Sequence, residues 1–459
     1  MSDEREVGTS RYLADLVHRI GCARFPDPDR AVVRHHMLDA FAAALIGCRG
    51  HAFADLAKLC PTVSKGCVWP GSGQQKAAPI DGAMLWSFAV HASVFEDGSR
   101  EGACHPAAVI FPSIAAFSEG KNWQDVERAA IAGYEVMVRI ARGGNPAFAR
   151  RGFHPTAIAA PFGAAAAVSL LLGYDAATVQ NALCLAAMGG AGLMASFKAG
   201  ATQPLQVAWA VRSGVMSALM AGAGHTGYET VIDEGFYPAH LGNGSPIPID
   251  RALKYEYAIR GSYLKPYPGC RHVHPSIDAL AKVLERMPIS PRQVKSIVVR
   301  TYGVAVEAEI DTLKSRGDAY FNTPYALAAR MVLGRCDWDA FDERHFSNES
   351  ILESMNKISV RVDPEIDSLY PDRRGSFVEV HTADGNLHCE KVDYALGEPE
   401  LPLPEAMVRE KFRRCAAGVL SPDSIGWMEA ILDVSHTTES PESLFRATSA
   451  AVQARRGAA

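Results

Sequence analysis

Long apolar segments rich in alanine and glycine fill the first half of the chain. Their apolar residues recur with a helical period at 80–95, 106–119, 124–142, 155–172, 176–195 and 204–223. Helices lined by small side chains can approach one another closely, so this pattern predicts a large all-helical bundle. Pro161 interrupts the run at 156–173, and a membrane-spanning helix needs about 20 strongly apolar residues. We therefore expect buried helices and no membrane partner.

The pattern changes near residue 246, where the stretch SPIPID has the composition of a linker. Segments rich in β-branched residues then predict strands at 295–304, 357–363 and 375–395. The last of these has Asp384-Gly385 at its centre, which is a hairpin signal. We predict a mainly α protein with a small α+β domain over 261–399. Residues 1–260 and 400–459 would form one discontinuous helical domain.

Charge and cysteine content argue against several classes of protein. The chain has 46 Lys and Arg residues against 51 Asp and Glu, a net charge of −5, so it lacks the basic field that binds nucleic acid. None of its ten cysteines lies in a C-x-x-C pair, which argues against a zinc ribbon or a redox pair. The N-terminus is polar and acidic and shows no signal-peptide pattern. Together these features predict a cytoplasmic protein with reduced thiols.

Three His-Pro dipeptides stand where helical patterns begin: His105-Pro106, His154-Pro155 and His274-Pro275. Proline suits the first helical position, so each histidine falls near a helix N-terminus. There the unsatisfied N–H groups and the partial positive charge attract carboxylates and lower the pKa of an imidazole. A neutral histidine beside an anion can act as a general base or as a hydrogen-bond donor. The alternative is that these histidines only cap helices.

Cations surround the third of these histidines. Arg271 and Lys265 lie in the stretch KPYPGCRHVHP, just before His274, and a cationic loop of this kind fits a carboxylate-rich small molecule. The pair His272 and His274 also has a spacing that could bind metal, but no acidic partner lies near it in the sequence. We therefore predict no metal site.

Three further residues are candidates for the site. Asp97 follows Glu96 and could supply an acid for His105, Lys198 could be a substrate-binding cation, and Tyr320 could lend a phenol. Each has a structural alternative, namely a loop that caps the next helix, a solvated lysine and a core aromatic residue. The sequence shows no dinucleotide fingerprint, P-loop, nucleophile elbow or kinase motif, so no cofactor is predicted.

Over nearly its whole length the sequence resembles the MmgE/PrpD family. The likeness includes FEDGSREGACHPAAVIFPS, RGFHPTAIAAPFGAAAAVSLLLG, TQPLQVAWAVRSG, KPYPGCRHVHPSIDAL, FNTPYALAA and YPDRRGSFVEVHTADG, in this order. The resemblance implies a helical domain built from both chain ends, a smaller α+β lid inserted between them, and a homodimer. It also implies a cofactor-free site in the cleft between the domains, to which Asp97, His105, His154 and His274 correspond. Members include 2-methylcitrate dehydratase, cis-aconitate decarboxylase and iminodisuccinate epimerase, whose reactions move a proton at a carbon beside a carboxylate.

The chain departs from the family pattern at two places. The family commonly has T-K-P-L-H where this chain has Thr202-Gln203-Pro204-Leu205-Gln206, so that glutamines replace the usual Lys and His. It also has D-D-T-H where this chain has Glu96-Asp97-Gly98-Ser99. Gln203 then stands at a substrate-binding position, and Lys198 is a candidate to supply the missing cation.

The sequence as a whole predicts a cofactor-independent lyase that acts on a small di- or tricarboxylate. Proton abstraction beside a carboxylate leads to dehydration if a hydroxyl leaves, and a related pathway leads to decarboxylation if carbon dioxide leaves. Reprotonation on the opposite face gives an epimerase instead. A non-catalytic member that binds a carboxylate, or a metal-dependent hydrolase that uses His272 and His274, are further alternatives.

Overall fold

Helices make up most of the chain, which confirms the predicted mainly α class. The structure is a computed structural model that describes residues 8–198, 202–434 and 439–450. Its α-helices are α1 (Thr9–Cys22), α2 (Asp27–Gly47), α3 (His51–Leu59), α4 (Pro79–Ala92), α5 (Ala107–Ala116), α6 (Trp123–Gly144), α7 (Ala147–Arg150), α8 (Pro155–Leu171), α9 (Ala176–Ala186), α10 (Thr202–Gly222), α11 (Tyr237–Leu241), α12 (His274–Arg286), α13 (Gly303–Glu307), α14 (Arg316–Ala319), α15 (Thr323–Leu333), α16 (Glu349–Met355), α17 (Pro364–Asp367), α18 (Glu405–Ala416), α19 (Pro422–Glu429) and α20 (Pro441–Ala447).

In the described residues the strands are short and form three small sheets. They are β1 (Thr62–Val68), β2 (Lys76–Ala77), β3 (Gly98–Ser99), β4 (Ser262–Tyr263), β5 (Val294–Thr301), β6 (Ile358–Val362), β7 (Ser376–Thr382) and β8 (Leu387–Val392). Internal contacts divide the chain into two units, Met1–Tyr263 with Val408–Ala459, and Leu264–Met407. The insertion of the smaller unit as a lid stays a prediction.

The first unit is a bundle whose central helices pack through small residues. Helix α8 lies against α6 and α10, and Pro161 sits inside it without ending it. A Cβ at Gly214 of α10 would lie 2.3 Å from the carbonyl oxygen of Pro161, so only glycine fits at this crossing. The close approach predicted from the alanine and glycine content is confirmed here.

The C-terminal segment of the first unit is fastened to its N-terminal part by a buried ion pair. Lys411 of α18 donates to Asp39 of α2 at 2.5 Å and to the carbonyl oxygen of Phe95 at 2.6 Å. Burial raises the pKa of the Asp39 carboxyl, and the charge of Lys411 opposes that shift. The contact with Phe95 reaches the loop that carries Glu96 and Asp97, so the distant chain end helps to position that loop.

The second unit is an α+β layer with a four-stranded sheet in the order β6-β5-β7-β8. Strand β5 is parallel to β6 and antiparallel to β7, and β7 pairs with β8 across a turn at Gly385, where φ is 88°. Helix α12 packs on β7 and β8. The strands and the hairpin predicted for this region are therefore confirmed, whereas β1 to β4 were not predicted.

Two further predictions concern thiols and membranes. All ten cysteines are free. No single helix in the described part of the chain is long and apolar enough to cross a membrane; one pair, α2 and α3, bent by 93°, reaches that length and composition when taken together.

Candidate active site

The loop from α4 to α5 holds the first group of candidate residues. His91 lies in the last turn of α4, and its ring Nδ1 lies 2.6 Å from Oε1 of Glu96, with both side chains fully buried. Val94 and Ala103 in the same loop have φ values of 50° and 49°. A β-branched residue such as valine rarely adopts this left-handed conformation, so the loop is held in a strained shape that brings Glu96 back to His91.

Asp97 is buried and its carboxylate is engaged by three donors. Oδ2 accepts from Nδ1 of His36 at 2.8 Å and from the hydroxyl of Tyr134 at 2.6 Å. Oδ1 accepts from the backbone N–H of Ala107 at 2.9 Å, at the start of α5. These contacts support a role in holding the helix N-terminus, which is the structural alternative to the predicted acid. The catalytic role of Asp97 stays a prediction.

His105 is the most accessible histidine of this group. Its Nδ1 lies 2.6 Å from the backbone carbonyl oxygen of Asp97, and a carbonyl only accepts, so Nδ1 carries the hydrogen. In the neutral ring the lone pair is therefore on Nε2, as a general base requires. The side chain is 21% exposed, and its backbone N–H donates to the hydroxyl of Thr156 at 3.2 Å, beside the start of α8.

His154 is the N-cap residue of α8, as the His-Pro pattern predicts. Its ring stacks on that of His91, with centroids 5.7 Å apart and planes at 21°, and Phe197 meets it edge-on at 4.8 Å. Burial, followed by the positive charges that His91 and His105 can carry, lowers the pKa of His154 well below its usual value. A neutral His154 therefore lies beside His91 and His105, which are themselves 5.6 Å apart.

The backbone around His154 is fixed by a short pairing with 192–194. The N–H of His154 donates to the carbonyl of Gly192 at 3.0 Å, and Phe153 bridges to Leu193. Gln206 of α10 binds the same segment, because its Oε1 accepts from the N–H of Leu193 at 2.7 Å. Gln206, which stands where the family has histidine, thus holds the segment that positions His154.

Two other predicted residues, Gln203 and Lys198, lie in the same region of the chain. Gln203 is half-buried in the first turn of α10. Lys198 ends a 3-10 turn at Met194–Lys198, but its side chain lies outside the described residues, and its role stays a prediction.

The second unit brings Arg271 and His274 together. The Arg271 guanidinium donates to Glu398 at 2.9 Å, to Nδ1 of His274 at 2.9 Å, and to the carbonyls of Ala395 and Leu396 at 3.2 and 3.0 Å. Because arginine never accepts a hydrogen bond, Nδ1 of His274 is the acceptor and Nε2 of the neutral ring carries the hydrogen. This tautomer allows His274 to donate a hydrogen bond from Nε2, which is one of the two roles expected of these histidines. Arg271 orients the His274 ring.

His272 has a different environment from His274. Its Nδ1 lies 2.5 Å from the hydroxyl of Tyr302, and burial together with the positive charge of Arg374 lowers its pKa to about 3. With Nδ1 of His274 also occupied by Arg271, these two rings do not converge on an ion. Among the described residues no group of three or more His, Cys, Asp or Glu side chains could hold a metal.

The remaining candidates are also buried in the second unit. Lys265 is 1% and Tyr320 is 4% exposed. The carbonyl oxygen of Tyr320 accepts from the N–H of Cys270 at 2.8 Å, next to Arg271, and its ring packs on that of Phe341 at 5.5 Å. Tyr320 therefore packs against the KPYPGCRHVHP loop. The substrate contacts of Lys265 and Tyr320 stay predictions.

The sequence reasoning did not select His91 and Glu96 as site residues. A detectable signal was present, because His91 is the only histidine in the mainly apolar helix PIDGAMLWSFAVHA, and a carboxylate follows five residues later. Spacing alone could not decide whether Glu96 or Asp97 faces the histidines. The strained backbone of the loop turns Glu96 toward them and Asp97 toward α5.

Comparison with known proteins gives consistent matches over most of the chain. The model of the MmgE/PrpD N-terminal domain matches residues 11–247, and that of the MmgE/PrpD C-terminal domain matches residues 267–432. Cis-aconitate decarboxylase of Homo sapiens is 25% identical over 437 residues, which are 90% of this chain and 89% of the relative. The enzyme of that name from Mus musculus is 23% identical over 454 residues, or 94% and 90%. The one from Aspergillus terreus (strain NIH 2624 / FGSC A1156) is 24% identical over 395 residues, or 78% and 79%.

Proposed function

Because the chain belongs to the MmgE/PrpD family, we propose that it is a lyase that moves a proton at a carbon beside a carboxylate of a small polycarboxylate. The observation that carries the proposal is the group of His91, His105 and His154, in which the rings of His105 and His154 lie 5.6 and 5.7 Å from that of His91. Burial lowers the pKa of His154, so a neutral imidazole is present in this group before substrate arrives. We propose that this chemistry needs no cofactor.

Decarboxylation of an unsaturated tricarboxylate is the reaction we favour. The relatives described above are cis-aconitate decarboxylases, and their names give no support to an epimerase. When carbon dioxide leaves, the bond to one carboxylate carbon breaks and its electron pair stays on the substrate. The charge passes through the double bond to a carbon beside a remaining carboxylate, and that carbon then takes a proton. A protein that promotes this reaction must bind carboxylates and exchange one proton.

His105 is the residue we assign to proton exchange. Its fixed Nδ1–H leaves Nε2 as the atom that takes up or gives a proton, and its partial exposure lets solvent restore the proton after each turnover. His154, which stays neutral, would direct a ring N–H or a lone pair at the substrate. Dehydration of a hydroxy acid would use the same His105 in the opposite sense, with Nε2 as the base.

We propose that Lys265 and His274 bind the substrate. Lys265 is buried, and the Nε2–H of His274, set by Arg271, is a donor for a substrate carboxylate or for the leaving group. Arg271 itself uses its guanidinium to fix His274 and the carbonyls at 395 and 396. We therefore propose an indirect role for Arg271, through His274, in place of direct carboxylate binding.

A second candidate function is that of a non-catalytic carboxylate-binding member. Gln203 and Gln206 motivate it, since the family commonly has Lys and His there. The contact of Gln206 with Leu193 favours an enzyme instead, because this glutamine has a structural use in positioning His154. Restoring both family residues together, Gln203→Lys with Gln206→His, would increase turnover if the chain were a degenerate enzyme and reduce it if the glutamines belong to the working site.

We also propose that the protein is a homodimer. Trp209, Met216 and Met220 of α10 are 58%, 41% and 37% exposed, and their spacing puts them on one face of the helix. Light scattering after gel filtration tests this proposal, and a monomer at micromolar concentration would refute it.

Proton NMR in deuterated water tests the reaction itself. The protein would be incubated with cis-aconitate, citrate and 2-methylcitrate in separate samples, and alkene and methylene signals would be followed. We expect loss of carbon dioxide from cis-aconitate with one deuteron incorporated beside a carboxylate. His105→Gln should reduce the rate by about 100-fold or more, while His225→Gln, at an exposed position after the end of α10, serves as the control. If the wild-type protein changes none of the three compounds, the proposed function is wrong.

A further inference from the structure

His91 is the residue of the buried group to which the proposed reaction gives no task. It is fully buried, and its Nδ1 is taken by the carboxylate of Glu96 at 2.6 Å. Its other ring nitrogen, Nε2, is also buried and has no hydrogen-bond partner among the described residues. A buried polar atom left without a partner costs about 1–3 kcal/mol, and native structures keep few of them without a functional reason.

Glu96 determines which protonation states of His91 are accessible. A buried carboxylate bonded to Nδ1 keeps a hydrogen on that nitrogen, as the carboxylate does in other carboxylate–histidine pairs. When a second anion approaches Nε2, the ring can hold both protons and lie between two carboxylates. The groups that face the ring are Glu96, His105 and His154, and His154 stays neutral.

We propose that His91, held by Glu96, is a further substrate-contacting residue, which binds a carboxylate of the polycarboxylate through its Nε2–H. The inference rests on the proposed function and names the ligand class of this atom. The carboxylate concerned is the one beside the carbon that becomes charged. As charge develops there, it accumulates on the carboxylate oxygens, and an N–H donor held in place by Glu96 stabilises it.

The position of His91 in the stack also explains why a histidine suits this role. Its ring lies nearly parallel to that of His154 and 5.6 Å from that of His105. A ligand bound at Nε2 would therefore lie close to the two histidines that handle the proton. Glu96 holds the imidazole through its Nδ1 and so fixes the direction in which Nε2 points.

The test uses tricarballylate, a saturated tricarboxylate that cannot react, and full-length protein with nitrogen-15 in its histidines. Binding is measured by calorimetry for the wild type, His91→Phe, His91→Gln and Glu96→Gln. We expect His91→Phe, which keeps a stacked ring without nitrogen, to weaken binding by about 10- to 100-fold, the loss of one charged hydrogen bond. Glu96→Gln should weaken it less, because an amide oxygen still accepts from Nδ1. His225→Phe, at an exposed histidine, should bind as the wild type does.

A second measurement covers the case in which a variant fails to fold. The ring-nitrogen signals of His91 are assigned as those missing from a His91 variant that has the melting temperature of the wild type. In the wild type these signals should shift when tricarballylate binds. An unchanged His91 signal, or wild-type affinity in His91→Phe, would overturn the inference even if cis-aconitate is turned over normally. If the wild type neither binds tricarballylate nor changes cis-aconitate, the proposed function fails, and the inference falls with it.

Discussion

Asp97 offers the sharpest test of how the site is built, because sequence reasoning makes it a catalytic acid and its contacts make it a structural anchor. Its carboxylate accepts hydrogen bonds from His36, Tyr134 and the backbone of Ala107 in a fully buried setting. We expect Asp97→Ala to lower the stability of the first unit strongly, since all three donors lose their acceptor at once.

The magnitude follows from these three contacts. Each buried donor left without an acceptor costs about 1–3 kcal/mol, and the His36 ring and entering water can relieve part of this. We therefore expect a net loss of about 3–5 kcal/mol for Asp97→Ala. Asp97→Asn keeps an acceptor but places an amide N–H against one of the donors, so about 1–2 kcal/mol is expected. For a unit of this size, 1 kcal/mol corresponds to a shift in Tm of roughly 2 °C.

Thermal unfolding followed by circular dichroism measures the effect. We expect Tm to fall by about 6–10 °C in Asp97→Ala and by about 2–4 °C in Asp97→Asn. Asp175→Ala is the matched control, because Asp175 also accepts from a helix N-terminus, at Thr178, but in an exposed position; it should cost about 1 kcal/mol. A shift below about 2 °C in Asp97→Ala, together with complete loss of turnover, would refute the structural reasoning and favour the catalytic acid.

Four further predictions follow from buried contacts. Lys411→Met leaves the carboxylate of Asp39 without its partner, so we expect a loss of about 3–5 kcal/mol in denaturant unfolding, partly recovered when Asp39→Asn is added; equal stability of the single and double variants would contradict this. Burial lowers the pKa of His154 in the folded protein, so the unfolded chain binds this proton first as pH falls. The contribution of His154 to stability is therefore complete above its unfolded pKa of about 6.5 and is lost below it, at up to about 1.4 kcal/mol per pH unit. His154→Phe should therefore make the free energy of unfolding fall less steeply between pH 7 and pH 5, and an unchanged slope would be evidence that His154 does not titrate in this way. Gln206→Ala removes the acceptor of the Leu193 N–H and should lower kcat about tenfold with little change in Tm, since an exposed hydrogen bond contributes only about 1 kcal/mol or less; an unaltered kcat would show that the position of His154 does not depend on this hydrogen bond. Gly214→Val forces a side chain against the carbonyl of Pro161 and should destabilise by about 1–3 kcal/mol or more, whereas normal Tm in this variant would mean that the two helices can separate at no cost.

Local patterns in the sequence were sufficient for much of the architecture. The period of the apolar residues predicted the helical bundle, and the β-branched segments predicted β5 to β8 and their hairpin, because these elements depend mainly on residues near in sequence. His-Pro also placed His154 correctly at the start of α8, since proline favours the first helical turn. By contrast, β1 to β4 are short, and long-range pairing such as that of Gly98 with Tyr263 leaves no local signal.

The sequence by itself thus determined which residue types are available and which helices present them, and it identified the family whose models match. Only the tertiary structure decided how those residues are used. Glu96 and Asp97 are neighbours with nearly the same chemistry, yet one meets His91 and the other meets His36, Tyr134 and α5. Their directions depend on the backbone of the loop and on helices far away in the chain. Protonation states depend on burial and on charges brought together by folding, so no linear pattern could assign them.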